Sequence, residues 1–161
     1  MRSNIFHGAI GSWHANLRFP KLHIIDLSDN EFIGDMPSVY FQNWDVMKLV
    51  DANHLEYMRV NQGFQSSGYT YAFNYMYSMT MINKGMHRFY EEIFDIFIAI
   101  DFSGKNFKGQ IPTSTGNLKG LHLLNLGDNN LTGLIPSSLA NLTQLESLDL
   151  ITTQKVSFDS L

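Results

Sequence analysis

The chain has 161 residues, 44% of them apolar and 16% charged, so it can bury a core and is not globally disordered. Its net charge of −4 argues against nucleic acid or an anionic membrane as a partner, because both bind basic surfaces. Cysteine is absent, which excludes disulfides and thiolate metal sites. The N-terminal stretch has no signal-peptide core, and the longest apolar run (93–102) is too short to span a bilayer.

A repeated pattern runs through most of the chain. It opens with half a copy, in which Asn4, Phe6, Gly8 and Ile10 keep the spacing of the later copies. Full copies occupy 22–37, 97–112 and 121–136, and another partial copy covers 145–150. The leucines of the third copy recur 24 residues later, so that Leu145 occupies the repeat position of Leu121. A repeat of this length predicts a solenoid.

Each defined position in the pattern LxxLxLxxNxLxGxIP has a structural role. The LxL segment is a short strand, and stacked copies form a parallel sheet. The Asn turns inward and bonds the backbone of neighbouring coils, Gly allows positive φ, and Pro begins the return path. We therefore predict a leucine-rich-repeat solenoid with a curved parallel sheet on its concave face and 3-10 or short helical turns on its convex face. In the second copy Lys105 takes the Asn position, so either Asn106 replaces it or that coil lacks the bond.

An insertion interrupts the repeats. The first two full copies lie 75 residues apart instead of 24, which leaves about 51 extra residues. The predicted division is repeats at 1–41, an island at 42–93, repeats at 94–150 and a non-repeat tail at 151–161. Within the island we expect an irregular loop around 63–71, a strand at 75–82, a turn at 83–85 and a return strand at 86–94. The two strands would form a β-hairpin packed on the solenoid.

The repeats and the island together resemble a known family. The carrying motifs are MRSNIFHGAI, FPKLHIIDLSDNEFIGDMP, YSMTMINKG and IDFSGKNFKGQIP. They are similar to the plant leucine-rich-repeat receptor-like proteins, cell-surface receptors without a kinase domain, many of which act in defence against pathogens. The resemblance implies an extracellular location, a peptide or protein ligand, and defence or development signalling through a co-receptor kinase. It also implies a membrane helix, which this chain lacks.

Two other functions remain open. The chain could be a secreted inhibitor of microbial enzymes, similar to the polygalacturonase-inhibiting proteins, although these have no island of this kind. It could also be a non-functional truncated fragment, since both solenoid ends would expose apolar edges.

Candidate binding residues come from the concave face and from the island. The concave candidates are Asp26, Asp29, Asp101, Asn125 and Asp128, which form an acidic stripe. Alternatively, each Asp is a scaffold residue that bonds nearby backbone. The island candidates are the aromatic residues Tyr69, Tyr71 and Tyr77, which could instead pack the island onto the solenoid.

Two Asn-Leu-Thr sequons, at Asn130 and Asn141, predict N-glycosylation if the chain enters the secretory pathway. The six histidines show no paired metal-ligand spacing, and the sequence has no nucleophile elbow and no phosphate-binding loop. We therefore predict no catalytic residue, no metal and no cofactor. The chain should act by binding.

Overall fold

The structure is a computed structural model that describes residues 1–11, 18–50, 56–66, 69–83, 86–104, 106–151 and 156–157. Its main body is a stack of coils whose strands form two parallel sheets, with 3-10 helices completing the coils. This confirms the predicted solenoid. The 3-10 helices of the described residues span Ser38–Asn43, Val46–Lys48, Thr113–Asn117 and Ser137–Asn141. The predicted 3-10 turns are therefore present after the repeat prolines Pro37, Pro112 and Pro136.

The concave sheet contains one LxL strand from each coil. Its strands are β2 (Ile24–Asp26), β8 (Ala99–Asp101), β10 (Leu123–Asn125) and β13 (Ser147–Asp149), which pair side by side in that order. All pairs are parallel, with Ile25, Ile100, Leu124 and Leu148 in register. Strands β2 and β8 are direct neighbours, so the intervening segment leaves the solenoid and returns at the next coil.

A second sheet runs beside the first, after the inward Asn. It consists of β1 (His7–Ala9), β3 (Glu31–Asp35), β9 (Phe107–Gly109) and β11 (Asn130–Leu131). The repeat glycines in or next to these strands all have positive φ, from 81° to 93°, namely Gly8, Gly34, Gly109 and Gly133. The backbone requirement predicted for this position is therefore confirmed, and a side chain would strain each turn.

The solenoid core follows the leucine positions of the repeat. In the third coil, which we define as residues 121–142, Leu121, Leu124, Leu126 and Leu131 are buried at 0–1% exposure. They join Ile100 and Phe102 of the preceding coil in one apolar cluster. No single coil encloses these side chains, so the stacking of coils supplies the burial.

The inward Asn residues bracket neighbouring coils. Asn129 Nδ2 donates to the carbonyls of Phe102, Leu126 and Gly127 at 2.8–3.1 Å, and its Oδ1 accepts the Phe107 amide at 3.1 Å. Asn30 makes an equivalent set in the first coil, including bonds to Leu27 and Ser28. Asn106 makes one long bond, 3.5 Å, to the Asn30 carbonyl. The coil with Lys105 at this position thus keeps a reduced version of the bracket through Asn106; Lys105 itself lies outside the described residues.

The island contains two antiparallel hairpins. Strands β6 (Met79–Asn83) and β7 (Met86–Tyr90) form the hairpin predicted for this region, and we call this pair the island ribbon. Strands β4 (Arg59–Ser66) and β5 (Tyr69–Met76) form another. The expected irregular loop at 63–71 is therefore wrong for its described residues, because 63–66 and 69–71 belong to the paired strands. Residues 67 and 68 lie outside the described residues. The single strand expected at 75–82 is also wrong, since β5 ends at Met76 and β6 begins at Met79.

Trp44 and Met47 fall inside the range 42–93 predicted for the island, yet both are buried in the solenoid core. The division into repeats, island and tail stays a prediction, and these two residues favour an island that begins several positions later.

The island's two ends meet in a narrow neck. Tyr57 and Phe94 form an isolated antiparallel bridge, and their rings stack with centroids 4.4 Å apart. The Met58 amide donates to the Ile93 carbonyl at 2.6 Å. The chain thus enters and leaves the island at one point, which leaves the stacking of the flanking coils intact.

Beyond β13, the repeat motif ends but the backbone pairing does not. Strand β14 (Val156–Ser157) pairs in parallel with β12 (Gly133–Leu134) of the preceding coil. Part of the predicted non-repeat tail therefore still follows the solenoid path.

Candidate functional site

A row of carboxylate and amide side chains crosses the concave sheet at one register. Asp26, Asp101, Asn125 and Asp149 lie side by side on neighbouring strands. Each accepts, through Oδ1, the amide two residues later, at 2.9–3.0 Å, and these donors are Ser28, Ser103, Gly127 and Ile151. The row therefore has a structural task, because it closes the turn that follows each strand.

Asp101 is the most enclosed member of this row, with 0% of its surface exposed. Its Oδ1 accepts the Ser103 amide at 3.0 Å and hydroxyl at 2.7 Å, and its Oδ2 accepts Asn125 Nδ2 at 3.2 Å. Burial raises the pKa of the Asp101 carboxyl, as does the neighbouring Asp26 charge, while the Ser103 and Asn125 bonds oppose the shift. Asp101 and Asn125 were expected on the exposed concave surface, but both are buried because they bond each other and the following turns.

A second repeat position, acidic in two of the three coils that follow, lies three residues further along each coil. Asp29, Gly104 and Asp128 occupy the same place in successive coils, and all three have positive φ, at 55°, 126° and 53°. Asp29 is exposed and pairs with Arg2, whose Nε lies 3.4 Å from Asp29 Oδ2. The Ser3 hydroxyl donates to the same oxygen at 3.1 Å. Asp29 thus ties the N-terminal segment to the first full coil.

A groove of about 490 Å³ lies over these positions, and we call it the concave groove. Its floor comes from four successive coils, and Ile82 of the island ribbon forms part of its wall. It is lined by Asp29, Asn30, Ile82, Ser103, Gly104, Asn106, Asn125, Gly127, Asp128, Asp149 and Ile151. Three of these residues are acidic and none is basic, so the described lining favours a ligand that carries positive charge.

The island ribbon covers part of the concave sheet. Met81, at 0% exposure, packs on Ala99 and Leu123, which are also buried. Met79 and Tyr90 add partly buried contacts to this cluster. The part of the concave face in front of β8 and β10 is therefore closed, and the open part lies beyond the ribbon at the concave groove.

The predicted aromatic site residues are not brought into the groove. Tyr69 is 70% exposed and Tyr77 is 51% exposed, and neither lines it. The side chain of Tyr71 falls outside the described residues. Sequence reasoning missed Ile82, which was assigned to a strand without a role. The alternation of side chains along Met79–Asn83 could have identified it, because adjacent residues of a strand point to opposite faces and Ile82 therefore lies on the other face of the ribbon from Met81.

Both sequon residues, Asn130 and Asn141, are exposed. Glycosylation at these positions stays a prediction. Among the described residues, no group of three His, Asp or Glu side chains could hold a metal ion. Within that same part of the chain, no helix has the length and apolar character needed to cross a membrane.

A leucine rich repeat family model matches residues 104–153. Receptor-like protein 34 of Arabidopsis thaliana is 45% identical over 130 residues, covering 78% of this chain. Receptor-like protein 33 of the same plant is 47% identical over 123 residues, covering 76% of it. This chain belongs to the plant leucine-rich-repeat receptor-like proteins.

The receptor-like chain matches only a part of these relatives, since it spans 12% of receptor-like protein 34 and 13% of receptor-like protein 33. Two solved structures share its fold. One is a plant peptide hormone receptor, RGFR1 in complex with RGF2, with a TM-score of 0.53 at 22% identity over 93% of this chain and 16% of the receptor. The other is PEPR1-AtPEP1, with a TM-score of 0.51 at 20% identity over 98% of this chain and 18% of that one.

Proposed function

We propose that this chain is part of the extracellular, ligand-binding region of a cell-surface receptor, and that it binds a peptide in the concave groove. The observation that carries the proposal is the groove itself, which extends over four coils beneath an island wall. The lining comes from four neighbouring strands about 4.8 Å apart, so the groove crosses about 14 Å of the sheet and can take a short extended chain. Its acidic lining favours a basic group on that chain. A scaffold without a binding role has no need of an island ribbon over its concave face.

Comparison with relatives supports a receptor role. The similar Arabidopsis proteins are named receptor-like proteins, and RGFR1 is described as a peptide hormone receptor in complex with RGF2. We infer that the ligand of this chain is an extracellular peptide or protein. Because this family carries no kinase domain, the signal passes to a co-receptor kinase, for which the coils after the island are the proposed contact. The resemblance implies that this signalling serves defence against pathogens or development.

A peptide of defined chemistry tests the groove. The probe is a fluorescein-labelled Thr-Val-Thr-Val-Arg peptide with capped ends, and its partner replaces Arg with Glu. The double variant Asp128→Asn and Asp149→Asn removes two groove carboxylates, while Asn tolerates positive φ at 128 and retains the oxygen acceptor at 149. We expect about five- to tenfold weaker binding of the Arg peptide, from two partly exposed charge interactions.

The matched control is Glu31→Gln, which removes an exposed carboxylate from β3 in the other sheet. This variant should bind the Arg peptide as the unmodified chain does, and the Glu peptide should bind weakly to every form. Equal binding of both peptides, or equal binding to the double variant, would show that the concave groove is not the site.

A further inference from the structure

The two edges of the island ribbon differ in the hydrogen bonding of their outward-facing main-chain groups. In an antiparallel pair, the N–H and C=O of one residue point to the same side, and successive residues alternate between facing the partner strand and facing away. Arg2 Nη1 donates to the Thr80 carbonyl at 3.4 Å from outside the ribbon. The main-chain groups of Thr80 therefore face away from β7, and the Arg2 side chain binds this edge at the Thr80 carbonyl.

The register then fixes the orientation of β7. Phe89 lies directly opposite Thr80, and His87 lies opposite Ile82, two residues further along. The main-chain groups of Phe89 and His87 consequently face away from β6. Within the described part of the chain, no main-chain hydrogen bond from outside the ribbon reaches either residue. Strand β7 thus presents two N–H and two C=O groups at an open edge.

This edge borders the open part of the concave face. The ribbon packs on Ala99 and Leu123, and its β6 edge faces the first coils through Arg2. The β7 edge therefore faces the coils that follow the island. Ile82, opposite His87, lies in the wall of the concave groove, so a chain laid along β7 past His87 reaches the groove.

We propose that the outer edge of β7 binds the peptide ligand as a third, extended strand of the island ribbon. The main-chain groups of His87 and Phe89 pair with the peptide, and a basic residue at its end enters the concave groove. Strand addition of this kind makes affinity depend on the peptide backbone and leaves specificity to the groove. The inference rests on the proposed function and names the site that holds the peptide main chain.

The decisive variant is Phe89→Pro, which removes one outward N–H. Proline is tolerated at this position because the Phe89 N–H takes no part in the β6–β7 ladder. We expect about tenfold weaker binding of the Thr-Val-Thr-Val-Arg probe, since a main-chain bond is lost and a carbonyl of the probe loses its donor. Thr80→Pro is the matched control, because it removes an outward N–H from the opposite edge. Phe89→Ala controls for loss of the ring, and both controls should bind within about twofold of the unmodified chain.

A second test leaves the protein unchanged. The probe is made in two forms, each N-methylated at one alternate set of its amides. Only the set that faces β7 can pair, so one form should lose at least about tenfold in affinity and the other should change by less than about threefold. Equal effects of the two methylation patterns would overturn strand addition, as would full binding to Phe89→Pro.

The outcomes separate this inference from the proposed function. Binding that responds to Asp128→Asn and Asp149→Asn, but not to Phe89→Pro or to methylation, overturns the β7 site and leaves the groove as the binding site. Absence of any probe binding to the unmodified chain overturns both.

Discussion

The third coil and the island ribbon are held in place by different kinds of contact. The coil is fixed on both sides, by leucines that pack against its neighbours and by Asn129, whose four hydrogen bonds span two coils. The ribbon is held to the solenoid by a small apolar cluster around Met81 and by one 3.4 Å bond from Arg2. A coil of the solenoid is therefore held by many contacts, and no single one of them decides its position. The ribbon, by contrast, can shift with the loss of few contacts.

The largest effect should come from the core of the third coil. Leu124→Ala removes a side chain that is 1% exposed and packed from both sides, so we expect a loss of about 3–5 kcal/mol in the free energy of unfolding. Urea denaturation measures it. Leu148→Ala, at the same register on the sheet edge and 43% exposed, is the control and should cost much less. Equal losses would contradict the view that stacking on both sides supplies the stability.

The Asn bracket should give the next largest effect. Asn129→Ala removes four hydrogen bonds from a buried turn, for a loss of about 2–3 kcal/mol. The Gly127 carbonyl still accepts the Gly104 amide, but the other three groups lose the partner that Asn129 supplies. Asn106→Ala removes one 3.5 Å bond and should cost less than about 1 kcal/mol. Urea denaturation of both variants under the same conditions gives the two losses in free energy of unfolding. A loss at Asn106 as large as that at Asn129 would contradict the view that Asn106 forms only a reduced bracket.

Loosening the ribbon should have a smaller and more local effect. Met81→Ala opens the cluster with Ala99 and Leu123, and we expect a loss of about 2 kcal/mol, because the ribbon can settle into the space. Hydrogen exchange should rise in β6 and β7 while the amides of β10 stay protected. Uniform exchange across both regions would mean that the ribbon and the coil unfold as one unit, and the contrast between them would fail.

The smallest expected effect is the change of stability with pH that the buried carboxyl of Asp101 causes. Since burial raises the pKa of Asp101 in the folded state, its stabilising contribution is complete in acid and is lost as pH rises through the folded pKa. Asp101→Asn retains the oxygen that accepts the Ser103 amide, as Asn125 does for Gly127 in the next coil. Its Nδ2 then faces Asn125 Nδ2, so the bond between these two side chains is lost at every pH and only the pH dependence of the difference reports the Asp101 charge. The variant should gain stability over the unmodified chain as pH increases from acid to neutral, by a margin below that of the other changes.

Thermal unfolding of both forms across this pH range measures the difference. The reverse change, Asn125→Asp, places a second carboxylate against Asp101 and should lose stability in the same pH direction. A difference between Asp101→Asn and the unmodified chain that does not vary with pH would refute the assignment.

The sequence predicted the solenoid because each of its determinants is local and repeated. Leu124, Asn129 and Gly133 each have equivalents in other coils, so one copy explains the next. The β6–β7 hairpin was also predictable, from two apolar segments on either side of an Asn-Lys-Gly turn. These features depend on residues that lie close together along the chain.

The parts that failed depend on distant partners. Gly63 and Ser66 favour a loop by themselves, yet they lie in β4 because the aromatic-rich strand β5 pairs with them. Nothing near Ala99 in the sequence indicates that Met81 covers it, so the closed part of the concave face could not be predicted. For the same reason Asp26 and Asp101 look alike in the sequence, since both occupy the same repeat position, although Asp101 is buried and Asp26 is only partly buried.

The positive φ angles at Asp29, Gly104 and Asp128 restrict which residues can occupy these positions beside the concave groove. Glycine, asparagine and aspartate are the residues that adopt this conformation at little cost. Asp29 and Asp128 can therefore be exchanged for asparagine or glycine, but not for a bulky or basic residue without strain, and a Cβ at Gly104 would lie only 3.3 Å from the Asp29 backbone nitrogen. New ligand preferences must arise at the freer positions around them, so variation among related receptors should be low at these three positions and higher at their neighbours.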